Sequence, residues 1–405
     1  MDWRTRCRLG LIGTWGSLLP VVASAGSPPS QVQESTNALR EARDRLADDG
    51  LDGQLFLTLD ETVAPLGRGQ VGDWVVRGLV DATVTFDADK VLGWRGGLVH
   101  VGFQGLVGQS GAQLLGDVQT YDNIDNEPFA ATRGAWVQQT LLAGALRIKA
   151  GRIEANNEFA AIDENAVTVD VRSRRAFLQS SMGFSPTIAR MPSYPLQSLG
   201  LVVEARPTST TRLTLGGFDA THRPSLLSSL PRTSNDPVFS TTSVLAETEQ
   251  GWRIGPSRAS GQIAVGGWLL AGQDACAEPP CSRGHAIGAY AVVSQALWRV
   301  RGTDRGVGLF AQYGWAPSYA NAIRHHGALG LVWTGIGARR GDMLGAAASW
   351  VGIGRPLRSE TAIEVFYRVR VDRHVWAQPD VQYVVDPGGR DPDGLALTLR
   401  LAFDL

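Results

Sequence analysis

Arg77 and Asp81 stand four residues apart in DWVVRGLVDATVTF, and Arg147 and Lys149 two apart in LRIKAGRI. On an extended chain an even spacing puts each pair on one face. A polar stretch follows, with Asn156, Asn157, Glu158, Asp163, Glu164, Arg172, Arg174 and Arg175. Guanidinium forks only donate hydrogen bonds and ionised carboxylates only accept them, so together they can hold a polar solute from both sides. Catalysis is poorly served by the same chain. His325 and His326 are adjacent, which on a strand would send them to opposite faces and spoil a two-histidine metal site; the pair is assigned to a loop. His100, Ser110 and Asp117 could be combined as a hydrolytic trio, but no Gly-x-Ser-x-Gly elbow accompanies them. Neither an enzyme nor a cofactor or metal site is expected.

These residues need elements to position them, and the period of the chain is two. In DGLALTLRLAFDL, Leu395, Leu397, Leu399, Leu401, Phe403 and Leu405 share one face, with Thr398, Arg400 and Asp404 on the other. In TAIEVFYRVRV, Ile363, Val365, Tyr367 and Val369 oppose Glu364, Arg368 and Arg370; in DWVVRGLVDATVTF, Trp74, Val76, Val80 and Val84 oppose Arg77, Asp81 and Thr83. WAQPDVQYVVDPGG sets Asp380 and Gln382 between Val381 and Tyr383 in the same way. A soluble sandwich and a membrane barrel share this period with opposite sense. Strand lengths near the ~9 to 11 residues that cross an outer membrane favour the barrel. So do 48 glycines and 12 tryptophans, used where strands bend and at membrane interfaces.

The first 25 residues read as an export signal: Arg4, Arg6 and Arg8, an apolar run from Leu9 to Val22, then Ala23-Ser24-Ala25. Its removal takes the formal charge from -1 to -3, since one aspartate leaves with the three arginines; a nucleic-acid partner is not expected. Beyond it no apolar run suits a membrane-spanning helix. Two cysteines then remain, Cys276 and Cys281 in CAEPPC, and an oxidising compartment favours a small disulfide-closed loop. Residues 26–51 form an N-terminal segment in which STNALREARDRLADDGL reads as a short periplasmic helix stopped by Gly50. Residues 52–405 are expected to be the barrel.

Sixteen strands can be placed, at 52–60, 72–86, 96–108, 131–142, 145–153, 199–206, 212–218, 242–253, 259–271, 285–299, 306–315, 327–335, 342–351, 361–371, 375–385 and 393–405. The fold class is therefore all-β, a sixteen-stranded antiparallel transmembrane β-barrel with a short N-terminal periplasmic helix. With both ends of the barrel in the periplasm, the short links AGA, GPSR and GTDR fall on that side and the long links outside. The cysteine pair falls on the extracellular side. The link at 87–95 is long for a periplasmic turn.

QPDVQYVVDPGG resembles the penultimate-strand signature of the OprB-type carbohydrate-selective porins. DADKVLGWRGGLVHVGFQG is similar to that family's early strand pair, LRIKAGRIEANNEFA to its glycine-lysine strand and following loop, and RRGDMLGAA to its Arg-x-Asp segment. The matches run in order from about residue 40 to the C-terminus. Two departures stand out: Phe403 is followed by Asp404 and Leu405 where the family closes on an aromatic, and AGR replaces the usual Gly-Lys pair.

The resemblance implies a bacterial outer-membrane porin through which small sugars diffuse passively into the periplasm. Its other partners would be outer-membrane lipid, lipopolysaccharide and the barrel-assembly machinery; porins of this size are often homotrimers. The link of about 45 residues after Ile153 is long enough to imply a role, here a constriction loop folded into the barrel. Across the lumen from that loop, Arg77, Asp81, Arg147 and Lys149 are expected to face Asn156, Glu158, Arg172 and Arg174, and Phe159, Phe177 or Trp376 to offer a stacking face. The rival reading is an anion- or general-solute-selective pore, because 36 of the 38 basic residues are arginine.

Overall fold

The computed structural model describes residues 43, 45–69, 72–161, 174–221, 239–255, 259–272, 284–300, 303, 305–354 and 356–404. The N-terminal signal, Arg172, Cys276 and Cys281 lie outside the described residues. Sixteen strands close on themselves: β1 (Leu51–Leu66), β2 (Asp73–Asp87), β3 (Gly97–Gly108), β4 (Phe129–Leu141), β5 (Leu146–Ile153), β6 (Ser198–Thr208), β7 (Thr211–Asp219) and β8 (Thr241–Ile254), then β9 (Ala259–Gly272), β10 (His285–Arg299), β11 (Gly306–Trp315), β12 (Ile323–Ile336), β13 (Arg339–Ile353), β14 (Glu360–Arg370), β15 (Val375–Val385) and β16 (Gly394–Asp404). Each pairs with its neighbour in the chain, and β1 closes antiparallel on β16. No helix among the described residues is long and apolar enough to cross a membrane.

Accessibility settles the sense of the alternation. On β14, Ile363 and Val365 are 45% and 44% exposed, whereas Glu360 and Glu364 are 0%. The apolar face points outward, the reverse of a soluble sandwich. Trp74, Tyr313, Trp315, Trp350 and Tyr383 stand outward near the end that carries the long loops, and Trp94, Trp298 and Trp333 near the other.

Two expectations change, and the long link after β2 is accounted for. β1 runs to Leu66 rather than stopping at 60, through an irregularity between Val63 and Leu66 that a strict two-residue period hides. His325 and His326 lie on β12, not in a loop. They do take opposite faces: His326 is buried between the Ser185 and Ser349 hydroxyls, while His325 meets the Tyr313 hydroxyl at 2.9 Å. The long link after β2 is a capped helix, α1 (Ala88–Leu92), whose N-cap Asp87 accepts from the Asp89 and Lys90 amides. Lys90 Nζ donates to the Ala47 and Asp48 carbonyls at 3.1 and 3.3 Å, a cation at the C-terminal end of the short helix that the chain forms before Gly50.

The interior is not simply water. The loop at 109–128 and the described parts of the loop at 154–197 fold inward, each with an apolar core of its own. Leu114, Leu115 and Tyr121 pack on Val75, Ala362, Val384 and Ala396. Phe177 and Met182 pack on Phe310, Val332 and Phe366, and Phe159 packs on Phe218 in a third cluster.

Candidate functional site

Loop 109–128 is held by buried charge. Arg400 on β16 grips Asp60 on β1 with two bonds of 2.8 and 2.6 Å, and the same guanidinium reaches Asp122 of the loop at 2.9 Å. Arg77 on β2 completes the chain through Asp122 at 3.4 Å, Asp125 at 2.8 Å and the Tyr121 hydroxyl at 2.5 Å. Glu360 accepts from the Val118 and Gln119 amides at 2.8 and 3.1 Å. At 1% exposure Arg77 lies beyond the reach of a solute; it contacts this loop rather than the one at 154–197.

Between these anchors, burial and the neighbouring Glu360 carboxylate push the Asp117 carboxyl up from 3.8 to about 8. The folded state therefore holds a proton that the unfolded chain gives up, and the contribution of Asp117 to stability falls as pH rises from 3.8 to about 8 and then levels off. Asp117→Asn is expected to flatten that decline, measured as the thermal unfolding midpoint against pH; an unchanged slope would refute the assignment.

The second inserted loop does not face β5 across the lumen but sits against it. Glu158 accepts from Lys149 at 2.5 Å and from Arg147 at 2.7 Å, and Arg147 also reaches Glu204 on β6 at 2.5 Å. Burial alone would raise the Glu158 carboxyl, but Lys149 and Arg147 hold it below its ordinary value. Farther along, Glu247 accepts from the Ala160 amide at 2.7 Å, and Glu364 from the Leu178 and Gln179 amides at 2.6 and 3.0 Å. Arg174, fully buried, donates to the Ala160 carbonyl at 2.6 Å and to Gln312 at 3.2 Å. Asn156 is half-buried, its carbonyl accepting from Arg175 at 3.2 Å. Phe159 and Phe177 are packing residues, at 0% and 1% exposure.

One set of charges that stays within reach lies on β2 to β6 and at Glu154, just past the end of β5. Asp81 pairs with Arg133 and accepts from Gln104 at 3.2 Å, and Arg133 reaches Glu154 at 3.5 Å. The side chains of Arg133, Arg147 and Asp81 are 30%, 17% and 11% accessible, against 0% for Arg77. Beside them Trp136 stacks on His100 with centroids 4.7 Å apart and carries Lys149 Nζ 4.0 Å from its ring. Thus Asp81, Arg147, Lys149 and Glu158 gather on one wall, while Arg77 and Arg174 serve the loops.

Arg133, Glu154, Trp136 and Glu204 escape the sequence reading, which weighs His100 only for a hydrolytic trio; Arg133 is hidden because β4 carries an extra residue. Thr132 and Ala135 both face outward opposite Phe103 and Val101, so Arg133 and Gly134 occupy a bulge. Gly134 takes φ +81°, and Gly151 on β5 takes φ +136°, where a Cβ would lie 2.3 Å from the Ala135 carbonyl. Those two glycines let the strands close around the bulge that turns Arg133 inward. ATRGAW was the available signal, since a glycine inside a strand marks a bulge. The imagined hydrolytic trio is engaged elsewhere: His100 with Thr85 and Trp136, Ser110 with the Ala112 amide, and Asp117 beside Glu360. Among the described residues no cluster of three metal-ligating side chains is found.

A family model described as carbohydrate-selective porin, OprB family, matches residues 76–405. The high-pH structure of Pseudomonas putida OprB superposes with a TM-score of 0.76 at 18% identity, covering 90% of this chain and 96% of that one. Its low-pH structure gives 0.58 at 16% identity, covering 90% and 95%. A mutant of Rh. blastica porin gives 0.50 at 11% identity, covering 88% and 100%. No curated protein matches. The solved structures speak for the fold and the family model for the lineage: the chain belongs to the OprB family of carbohydrate-selective porins, sugar-selective diffusion channels of the bacterial outer membrane.

Proposed function

We propose that selection is made on the wall of β2 to β6, where a sugar exchanges its water for hydrogen bonds to Arg133, Arg147, Asp81 and Glu154. One observation carries the reading: the accessible charges come as touching opposites, Arg133 with Asp81 and Glu154, and Arg147 with Glu158 and Glu204. A row of neutralised pairs presents forked donors and acceptors with little net field. That suits an uncharged solute rich in hydroxyls and gives an anion no preference. The arginine-rich composition, which taken alone favours anions, is answered on this wall by carboxylates against both Arg133 and Arg147. Passage needs no conformational cycle, since the loops that narrow the lumen are fixed by buried bonds.

Planar-bilayer recordings test this. Arg133→Ala should weaken the block of ion current by neutral sugars, losing charged hydrogen bonds worth about 1.5 to 3 kcal/mol, and should shift ion preference toward cations. Glu154→Gln should weaken the same block and shift preference toward anions. Phosphate block with no sugar block in the unaltered pore would sink the proposal.

A further inference from the structure

The lumenal phenylalanines mostly lie under the inserted loops: Phe218, Phe310 and Phe366 are 0%, 0% and 1% exposed. Phe56 on β1 is the contrast. Opposite the lumenal Asp81 and Asp404 in register, it also faces inward, yet it is 37% exposed. Trp376, the second residue of β15, is another inward aromatic near the periplasmic end that stays partly open. It stands level with Ala402 and Thr58. With β16 between their strands, the two aromatics are about 10 Å apart laterally. Both lie toward the periplasm, past the point where the 154–197 loop is tied down: the Ala176 carbonyl accepts from Arg368 at 3.2 Å and from Gln378 at 2.9 Å.

An open aromatic in an aqueous lumen keeps an apolar face wet, and covering that face with the apolar face of a ligand is favourable. The surroundings suit one class of ligand. Arg368 lies over the Trp376 ring at 4.0 Å and is held by Gln378 at 2.7 Å, which fixes the indole. The small Ala402 and Thr58 leave a step between the two rings. Asp404, inward on β16 beside Phe56, adds a carboxylate acceptor.

We infer that Trp376, Phe56 and Asp404 form a second sugar subsite in the periplasmic half of the lumen, an exit platform taking pyranose rings by their C–H faces and their hydroxyls through Asp404. The inference rests on the sugar-selective reading above and extends it from Asp81, which Phe56 meets in register, around the barrel to β16 and β15. A sugar held by Asp81 therefore has the platform beside it, across β1.

The test is block of ion current by glucose and by maltose, added to each side in turn of the full-length barrel in planar bilayers. Trp376→Ala and Phe56→Ala should each weaken the block about fivefold, most when sugar enters from the periplasmic side. Asp404→Asn should act in the same direction, and the open-pore conductance should change little. Trp376→Phe, which keeps a ring, should stay close to the unaltered protein. Phe56→Leu, which keeps apolar bulk without a ring, carries the same expectation as Phe56→Ala and replaces it where the alanine protein yields no conducting pore. Wild-type block in Trp376→Ala and Phe56→Ala, with block weakened in Arg133→Ala, would overturn the platform and leave the wall intact. Absence of any sugar block in the unaltered protein would overturn both.

Discussion

Val365→Arg is expected to prevent stable insertion of the barrel. Val365 sits in the middle of β14, outward and 44% exposed, with Val381 and Ala346 as its outward neighbours. A lipid-facing arginine at that depth costs roughly 2 to 4 kcal/mol and finds no acceptor in hydrocarbon. The same substitution at Val369, one residue from the periplasmic end of the strand, should cost less, because a long side chain there can reach the interface. Arg368→Leu should assemble, since that position faces the lumen, though it gives up the bonds to Gln378 and the Ala176 carbonyl. The assay is heat-modifiable migration after refolding into lipid vesicles. Equal yields for Val365→Arg and Arg368→Leu would contradict this assignment of the faces.

The second large effect concerns the clamp on loop 109–128. Arg400→Met leaves Asp60 and Asp122 buried without their shared cation, and breaking one partner from a buried pair costs about 3 to 5 kcal/mol. The loop can escape that cost by swinging out of the lumen, whereas the strands cannot. Arg400→Met and Arg77→Met are therefore expected to raise single-channel conductance and reduce the discrimination between glucose and larger sugars, with the barrel still folded. Asp122→Asn should do the same from the other side. Unchanged conductance in all three would show that this loop does not narrow the pore.

The strands were legible because their signal is local. Residues two apart share a face, so Leu395 to Leu405 or Ile363 to Val369 announce a strand without reference to anything distant. β10, β11 and β15 begin and end where alternation puts them. The failures were also local in cause. The bulge at Arg133 and Gly134 breaks parity on β4, and an outward histidine at the interface on β12 looks polar where apolar residues are expected. Cys276, Cys281 and Arg172 lie outside the described residues, and the disulfide remains a proposal for thiol labelling to test.

The candidate site divides along the same line. By itself the sequence determined that Asp81, Arg147, Lys149 and Arg400 face inward, because parity on a strand fixes the side of each residue. Only the tertiary structure decided which inward charges a solute can reach. Arg77 and Arg147 look alike in sequence, yet one ends at 0% side-chain accessibility under Asp122 and Asp125, and the other at 17% beside Glu158 and Glu204. That difference depends on where loops 109–128 and 154–197 come to rest, through contacts such as Asp122 with Arg400 across 278 residues. A two-residue period carries no information about contacts at that separation, since they arise from closing the barrel and burying the loops' own apolar cores within it.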